Sequence, residues 1–243
     1  MELCLFSSAL PGWDAASVAR AALDAGLTAV EWGVGPGQAT GPFDRLGVEA
    51  AGVCVQGGAA SLTEPESLRP FAELAAELGA PHVRVFAPAL ADRDGARAGL
   101  EAAAAIALTH GVTLLIETAP DTIAPSTAQA RALVDGFPPE QVGVLYDPGN
   151  MVIEGHVDPR LAVAELGPYL RHVHVKNVAW HREDGTWRWR HAALDKGLLD
   201  WSAIVEALDG AGYTGRLSLD HLGGEPSLET LRRELSVLRR SGR

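Results

Sequence analysis

A chain of 243 residues, 47% of them hydrophobic, can bury one large core, while its formal net charge of −11 repels nucleic-acid phosphates rather than gathering them. No apolar run reaches the roughly 20 residues of a membrane-spanning helix, and MELCLFSSALPG has no basic segment ahead of its apolar stretch, so it reads as a first strand and not as a secretion signal. Cys4 and Cys54, the only cysteines, sit in apolar runs that suit buried thiols in a reducing cytoplasm better than a disulfide. A cytoplasmic protein with no nucleic-acid or membrane partner is expected.

Short apolar runs near 3–8, 28–32, 52–57, 82–87, 112–118, 142–147, 172–177 and 216–220 alternate with helical patterns, and no linker interrupts residues 1–243. Eight strands, each followed by a helix, predict a single-domain α/β protein, the (β/α)8 TIM barrel. The first helix opens at Asp14. Thr63 with Glu66 is a candidate capping box, and Asp158 before Pro159 is a third start. Gly26, Gly79, Gly111 and Gly212 follow apolar helical stretches and read as stops.

Between His174 and the helix opening at Asp200 the chain is too long for an ordinary connection. Asp184-Gly185, flanked by WHRE and TWRWR, predicts a β-hairpin inserted after the seventh strand. Its Trp180, Trp187 and Trp189 suit a lid over the catalytic face, a scaffold packed on the barrel, or a subunit interface equally well. The last helix, from about Ser227, repeats Leu228, Leu231, Leu235 and Leu238 on one core-facing stripe.

Alternation along the strands divides helix-facing from lumen-facing side chains. In HVHVK, Val173 and Val175 face the helices while His172, His174 and Lys176 face inward; His82, Arg84 and Phe86, then Ser218 and Asp220, and also Glu31 and Gln56, point inward by the same count. A purely structural barrel would fill these places with Val, Ile and Leu, so the polar set implies a ligand, a metal or an internal ion-pair network. LLIET, VLYDP, HVHVK and LSLDH place Glu117, Asp147, His174 and Asp220 at or near strand ends, which in a parallel barrel all open on one face. Three carboxylates and an imidazole form a mixed donor set for one divalent cation, Mn²⁺, Mg²⁺ or Co²⁺, with catalytic Zn²⁺ also compatible.

At AVEWG, LLIET, YDPGN, HVHVKN and GYTGRLSLD the chain resembles the sugar phosphate isomerase/epimerase family of xylose isomerase-like barrels, over nearly its whole length. The resemblance implies that Glu117, Asp147, His174 and Asp220 hold one metal, often manganese, and that Glu117 and Asp220 are the catalytic acid/base pair. Three positions depart from the family pattern: Asp220 stands where a Glu is usual, Asn150 where a substrate-contacting His is usual, and Trp180 where an Arg is usual. Substrate contacts fall to Glu31, Gln56, Arg84, Asn150, Lys176 and Trp180. The implied activity is isomerisation or epimerisation of a small sugar or sugar-like carbonyl compound by proton transfer through an enediolate. A metal-dependent dehydratase of the inosose or dehydroshikimate type, a phosphodiesterase like endonuclease IV and a non-catalytic sugar-binding barrel are the rivals, and a homodimer is the commonest assembly.

Overall fold

A computed structural model describes residues 1–38, 43 and 46–242. Eight parallel strands close into a barrel: β1 (Glu2–Phe6), β2 (Ala29–Val34), β3 (Glu49–Val55), β4 (His82–Phe86), β5 (Thr113–Glu117), β6 (Val142–Tyr146), β7 (Leu170–Val175) and, as the eighth, β10 (Arg216–Leu219). Each pairs with its neighbours in chain order, and β10 closes the ring against β1 through Cys4 opposite Ser218. The helices are α1 (Ala15–Asp24), α2 (Arg69–Glu77), α3 (Ala96–Thr109), α4 (Thr127–Val134), α5 (Pro148–Glu154), α6 (Pro159–Leu166), α7 (Trp201–Gly210) and α8 (Leu228–Ser241).

The strand alternation divides two cores. Val30, Val53, Val83, Val85, Leu114, Ile116, Val173, Val175, Leu217 and Leu219 belong to one large cluster with the helix faces, among them Leu231, Leu235 and Leu238 of α8. Burying each such side chain contributes roughly 1.5–3 kcal/mol, so this outer layer carries the fold. Among the described residues the lumen holds two small apolar clusters, Phe6 with Cys54, Leu115 and Leu145, and Cys4 with Ala29 and Ala51. Both cysteines are buried and unbridged. With little apolar filling inside, the polar residues of β2, β4, β5, β7 and β10 occupy the rest.

The predicted starts at Asp14, Asp158 and Asp200 are real: each carboxylate accepts a backbone N–H of its helix's first turn, from Ser17, from Arg160, and from Ser202 and Ala203. The Thr63–Glu66 capping box does not form. A 3-10 turn over Pro65–Leu68 precedes α2, Glu66 instead pairs with Arg69 at 2.7 Å, and Thr63 folds back on Ser61, its N–H donating to the Ser61 hydroxyl. Pro65 and Pro70 set the chain direction there more strongly than a side-chain cap. Gly26, Gly79, Gly111 and Gly212 all take positive φ where their helices end. Among the described residues no helix follows β2; the segment after it, GPGQ, is rich in helix-breaking residues, and residues 39–42, 44 and 45 of the connection lie outside the described residues.

The insertion after β7 is the predicted hairpin, β8 (Asn177–Glu183) paired antiparallel with β9 (Thr186–Ala192). Asp184 and Gly185 both have positive φ, 49° and 80°, as a two-residue type I′ turn requires. Trp180 faces Trp189 across the strands. The tryptophans are 39–63% exposed, so they do not anchor the hairpin to the barrel as a packed scaffold would. Its base is fixed instead by Asn177, whose amide donates to Leu194 O and Leu199 O and accepts from Val178 N and Leu199 N. None of the described helices is long and apolar enough to cross a membrane.

Candidate metal centre

Glu117 ends β5, Asp147 follows β6, and His174 lies one residue before the end of β7, so three neighbouring strands deliver their side chains to one point. All three are buried, and a carboxylate oxygen from each acid and a ring nitrogen of His174 lie within 4.8 Å of one another. His174 Nδ1 is 3.6 Å from Glu117 Oε1 and 3.7 Å from Asp147 Oδ2. Donors ~2.1 Å from a common cation sit at most about 4.2 Å apart, so these separations fit a divalent ion. His174 Nδ1 also has no hydrogen-bond partner among the described residues, although it is buried. A buried nitrogen facing two carboxylates without a hydrogen bond is what a removed ligand contact leaves behind.

The opposite ring nitrogen is held. His174 Nε2 lies 2.9 Å from Glu31 Oε2, and the ring stacks on Phe6 at 4.9 Å. This is the carboxylate–histidine arrangement that sets the tautomer and aim of a metal ligand. Burial disfavours charge on the imidazole, but the Glu31 and Glu117 carboxylates outweigh it and raise its pKa well above the usual histidine value. For Glu31, burial is likewise overcome by the His172 and His174 imidazoles, which hold the carboxyl well below its ordinary range.

Asp220 does not join the three. Its Oδ2 lies 2.8 Å from Lys176 Nζ, and that same ammonium is 2.8 Å from Asp147 Oδ2. The Lys176 side chain therefore bridges the second and fourth expected ligands, Asp147 and Asp220, as a tethered cation. Burial opposes its charge, yet Asp147 and Asp220 together raise its pKa, and at Asp147 burial is in turn overcome by Lys176 and His174 together, which lower that carboxyl.

Arg84 serves Glu117 in a similar way. Its Nε is 2.8 Å from Glu117 Oε2, its Nη1 donates to Val55 O, and its guanidinium lies 4.4 Å from the Phe86 ring centre. Phe86, placed inward by alternation, is 41% exposed at the barrel rim. Asn150, on the first turn of α5, donates from Nδ2 to Glu117 Oε1 at 2.9 Å, while its backbone N–H donates to Asp147 Oδ1. It thus orients the two carboxylates. Gln56 lies just beyond β3 beside Gly33, whose hydrogen side chain leaves room for it and for Phe6 and Ser8. Glu31 is buried beneath the cluster, and both of its oxygens already face protein groups. Trp180 lies on the hairpin opposite Trp189 and is exposed.

Several contributors carry no readable signal in the sequence. Thr118 points opposite to Glu117, yet its hydroxyl accepts the Asp147 N–H at 2.9 Å and so ties β5 to the turn after β6. Cys54 donates its thiol to Glu31 Oε1 at 3.0 Å, and burial pushes its pKa up to about 12, so it stays protonated. His191 of β9 stacks on His221 at 3.6 Å between ring centres, joining the hairpin to the end of the eighth barrel strand. Strand alternation assigns faces but not partners, which is why these pairs escape it.

A family model described as a xylose isomerase-like TIM barrel matches residues 19–241. No curated protein matches by sequence. Among solved structures, the probable 3-DHS dehydratase involved in petrobactin synthesis from Bacillus anthracis is 16% identical, covers 98% of this chain and 99% of its own, and superposes with a TM-score of 0.79. A D-allulose 3-epimerase from Methylomonas sp. is 16% identical over 99% and 98% of the two chains, with a TM-score of 0.77. A xylose isomerase-like TIM barrel protein from Mycobacterium smegmatis, solved in complex with magnesium, is 19% identical over 100% and 98%, with a TM-score of 0.71. Likeness at this level of identity carries the fold.

Proposed function

Since the chain belongs to the xylose isomerase-like TIM barrel family, we propose that it is a divalent-metal-dependent isomerase or epimerase of a small sugar or sugar-like carbonyl compound. The observation that carries this reading is the convergence of Glu117, Asp147 and His174, with His174 Nδ1 left without a hydrogen bond between the two acids. When bound, a divalent cation there supplies Lewis-acid polarisation of a carbonyl and a neighbouring hydroxyl, which acidifies the adjacent C–H.

The remaining steps belong to the protein's own side chains. Arg84 and Asn150 fix the two oxygens of Glu117, so its position is set before substrate arrives. Glu31 holds His174 by Nε2 and keeps Nδ1 aimed at the acids. Asp220, beside the rim and 14% exposed at its side chain, is the carboxylate placed to take or return the proton at carbon, with Glu117 as its counterpart. The Lys176 ammonium, between Asp147 and Asp220, offsets the negative charge of the enediolate formed by that removal.

The Lys176–Asp220 contact also favours a second reading. It holds Asp220 as a second carboxyl across from Glu117, and because Arg84 and Lys176 both stay charged, the proton moves on the carboxyls themselves. Removal of a proton by one group and its delivery to a departing β-hydroxyl by the other is dehydration, a lyase reaction on an inosose-like or dehydroshikimate-like substrate. Incubating Mn²⁺-loaded protein with a panel of ketoses and cyclic keto-polyols in D₂O separates the outcomes. Deuterium at the carbon next to the carbonyl, with a new stereoisomer or the shifted carbonyl, supports the isomerase; a product lighter by one water supports the dehydratase. No deuterium incorporation and no loss of water across the panel overturns both.

A further inference from the structure

Beneath the candidate metal centre, the barrel lumen contains a second cluster, two of whose residues, His82 and His172, the proposed chemistry does not use. His82 at the start of β4 and His172 on β7 both turn Nε2 toward Glu31, at 3.3 Å from Oε1 and 3.3 Å from Oε2 respectively. Their rings are 4.7 Å apart. Glu31 is fully buried, and His82 and His172 are 5% and 2% exposed. A carboxylate oxygen and the two ring nitrogens lie within 4.8 Å of one another.

Three observations distinguish this cluster from an ordinary buried ion pair. His172 Nε2 lacks hydrogen-bond geometry to Glu31 and has no hydrogen-bond partner among the described residues, so a buried nitrogen points into the cluster unsatisfied. The 3.3 Å separations, His82 to Oε1 and His172 to Oε2, are long for N–H···O bonds and, each taken singly, close to the spacing of about 3.4 Å between two donors ~2.05 Å from one cation. Gly52 of β3 also faces His82, where a Cβ would come within 2.1 Å of Nε2, so the absent side chain makes the space that the imidazole occupies. The other donors near Glu31 are already satisfied: His174 Nε2 bonds Oε2 at 2.9 Å, and the Cys54 thiol bonds Oε1 at 3.0 Å.

The cluster is open from below. A cavity of about 350 Å³ at the N-terminal mouth of the barrel is lined by His82 and His172, with Thr113, Arg171, Thr214 and Arg216 around it. Arg216 is paired with Glu2 and Glu49, which offsets its charge at the entrance. Water can therefore reach a fourth coordination position.

We propose that His82, His172 and Glu31 form a second metal site, specific for a zinc-type cation and entered from the N-terminal face. Two imidazoles and one carboxylate are a zinc donor set, whereas the upper centre, with two carboxylates and one imidazole, is richer in the oxygen ligands that Mg²⁺ and Mn²⁺ take. Because Glu31 serves both levels, a cation below would also hold the carboxylate that aims His174.

The test uses metal-stripped full-length protein and the variants Asp147→Asn, which impairs the upper centre, and Asp147→Asn with His82→Gln. Zn²⁺ is titrated and bound metal counted, with Co²⁺ as a spectroscopic probe of coordination. Asp147→Asn should retain one equivalent of Zn²⁺ and show the strong visible absorption of four-coordinate Co²⁺. Loss of a second-sphere partner weakens metal binding about 10–100-fold, so removing His82, a ligand, should weaken it at least about 100-fold. No Zn²⁺ in Asp147→Asn, or equal affinity with and without His82, overturns the proposal. If the double variant fails to fold, the imidazole ¹⁵N resonances of Asp147→Asn decide: Zn²⁺ must shift Nε2 of both His82 and His172, and unshifted signals reject the site.

Discussion

The two levels of the barrel lumen use the same strands to opposite ends. At the C-terminal level, carboxylates outnumber imidazoles, and two buried cationic side chains, Arg84 and Lys176, sit on them at 2.8 Å. At the lower level one carboxylate, Glu31, faces His82 and His172, with a protonated thiol beside it. The upper level sets the Arg84 and Lys176 cations against three carboxylates, while at the lower level burial lowers the His82 pKa to about 4 and keeps that imidazole neutral. A barrel can thus grade its polarity along the axis simply by what occupies alternate strand positions, since β7 alone contributes His172 below and His174 above.

The largest expected effect tests whether the upper level is the chemical one. Asp147→Ala should abolish Mn²⁺ retention and, once a substrate is known, reduce turnover about a thousandfold, equivalent to roughly 4 kcal/mol of lost transition-state stabilisation. Metal analysis and steady-state kinetics check this, and retained Mn²⁺ with unchanged turnover would move the chemistry elsewhere.

Next, Lys176→Met removes the cation that bridges Asp147 and Asp220 and leaves two uncompensated acids. Breaking a buried pair from one side costs about 3–5 kcal/mol, so metal-free protein should lose about that much in urea unfolding and regain most of it with Mn²⁺. A variant as stable as the parent without metal would show that Lys176 does not balance the site.

The lower level predicts a pH dependence of the other kind. Burial depresses His82 from 6.5 to about 4, so between those values the unfolded chain takes up a proton that the native one does not. Stability from neutral His82 is therefore present above pH 6.5 and lost as pH falls toward 4, on the order of 3 kcal/mol in all. His174, with its pKa raised, contributes in the opposite sense: fully present below 6.5 and lost as pH rises through its folded value. Urea unfolding of metal-free protein from pH 4 to 7, with and without His82→Gln, should show the acid loss flattened only in the variant. The smallest effect is Gly52→Ala. Its Cβ would strike His82 Nε2, so a loss of about 1–3 kcal/mol is expected with Mn²⁺ binding intact, and a weakened upper centre would show that the two levels are rigidly coupled.

Much of this architecture is legible in the residue order. Eight apolar runs, stop glycines, the Asp184-Gly185 turn and the inward set on β4 and β7 follow from local periodicity and turn chemistry, which depend on near neighbours. The ends of β5, β6 and β7 point to Glu117, Asp147 and His174 because a parallel barrel leaves one face for all its strand ends. The same reasoning added Asp220 from the end of the eighth strand, and the family resemblance repeated it; in the fold its Oδ2 lies 2.8 Å from Lys176 Nζ. The resemblance also assigned Glu31 and Asn150 to substrate, whereas in the fold Glu31 supports three histidines from below and Asn150 orients Glu117.

The sequence by itself determined which side chains enter the lumen and at which level, because the strand period is two and strand order in this barrel follows the chain. Only the tertiary structure decided their partners: that Lys176 stands between Asp147 and Asp220, that Arg84 takes Glu117, and that His82 meets His172 across Glu31. Those choices depend on distances of a few ångströms between strands far apart in the chain, where burial, charge and the space left by Gly52 act together, and no local pattern records them.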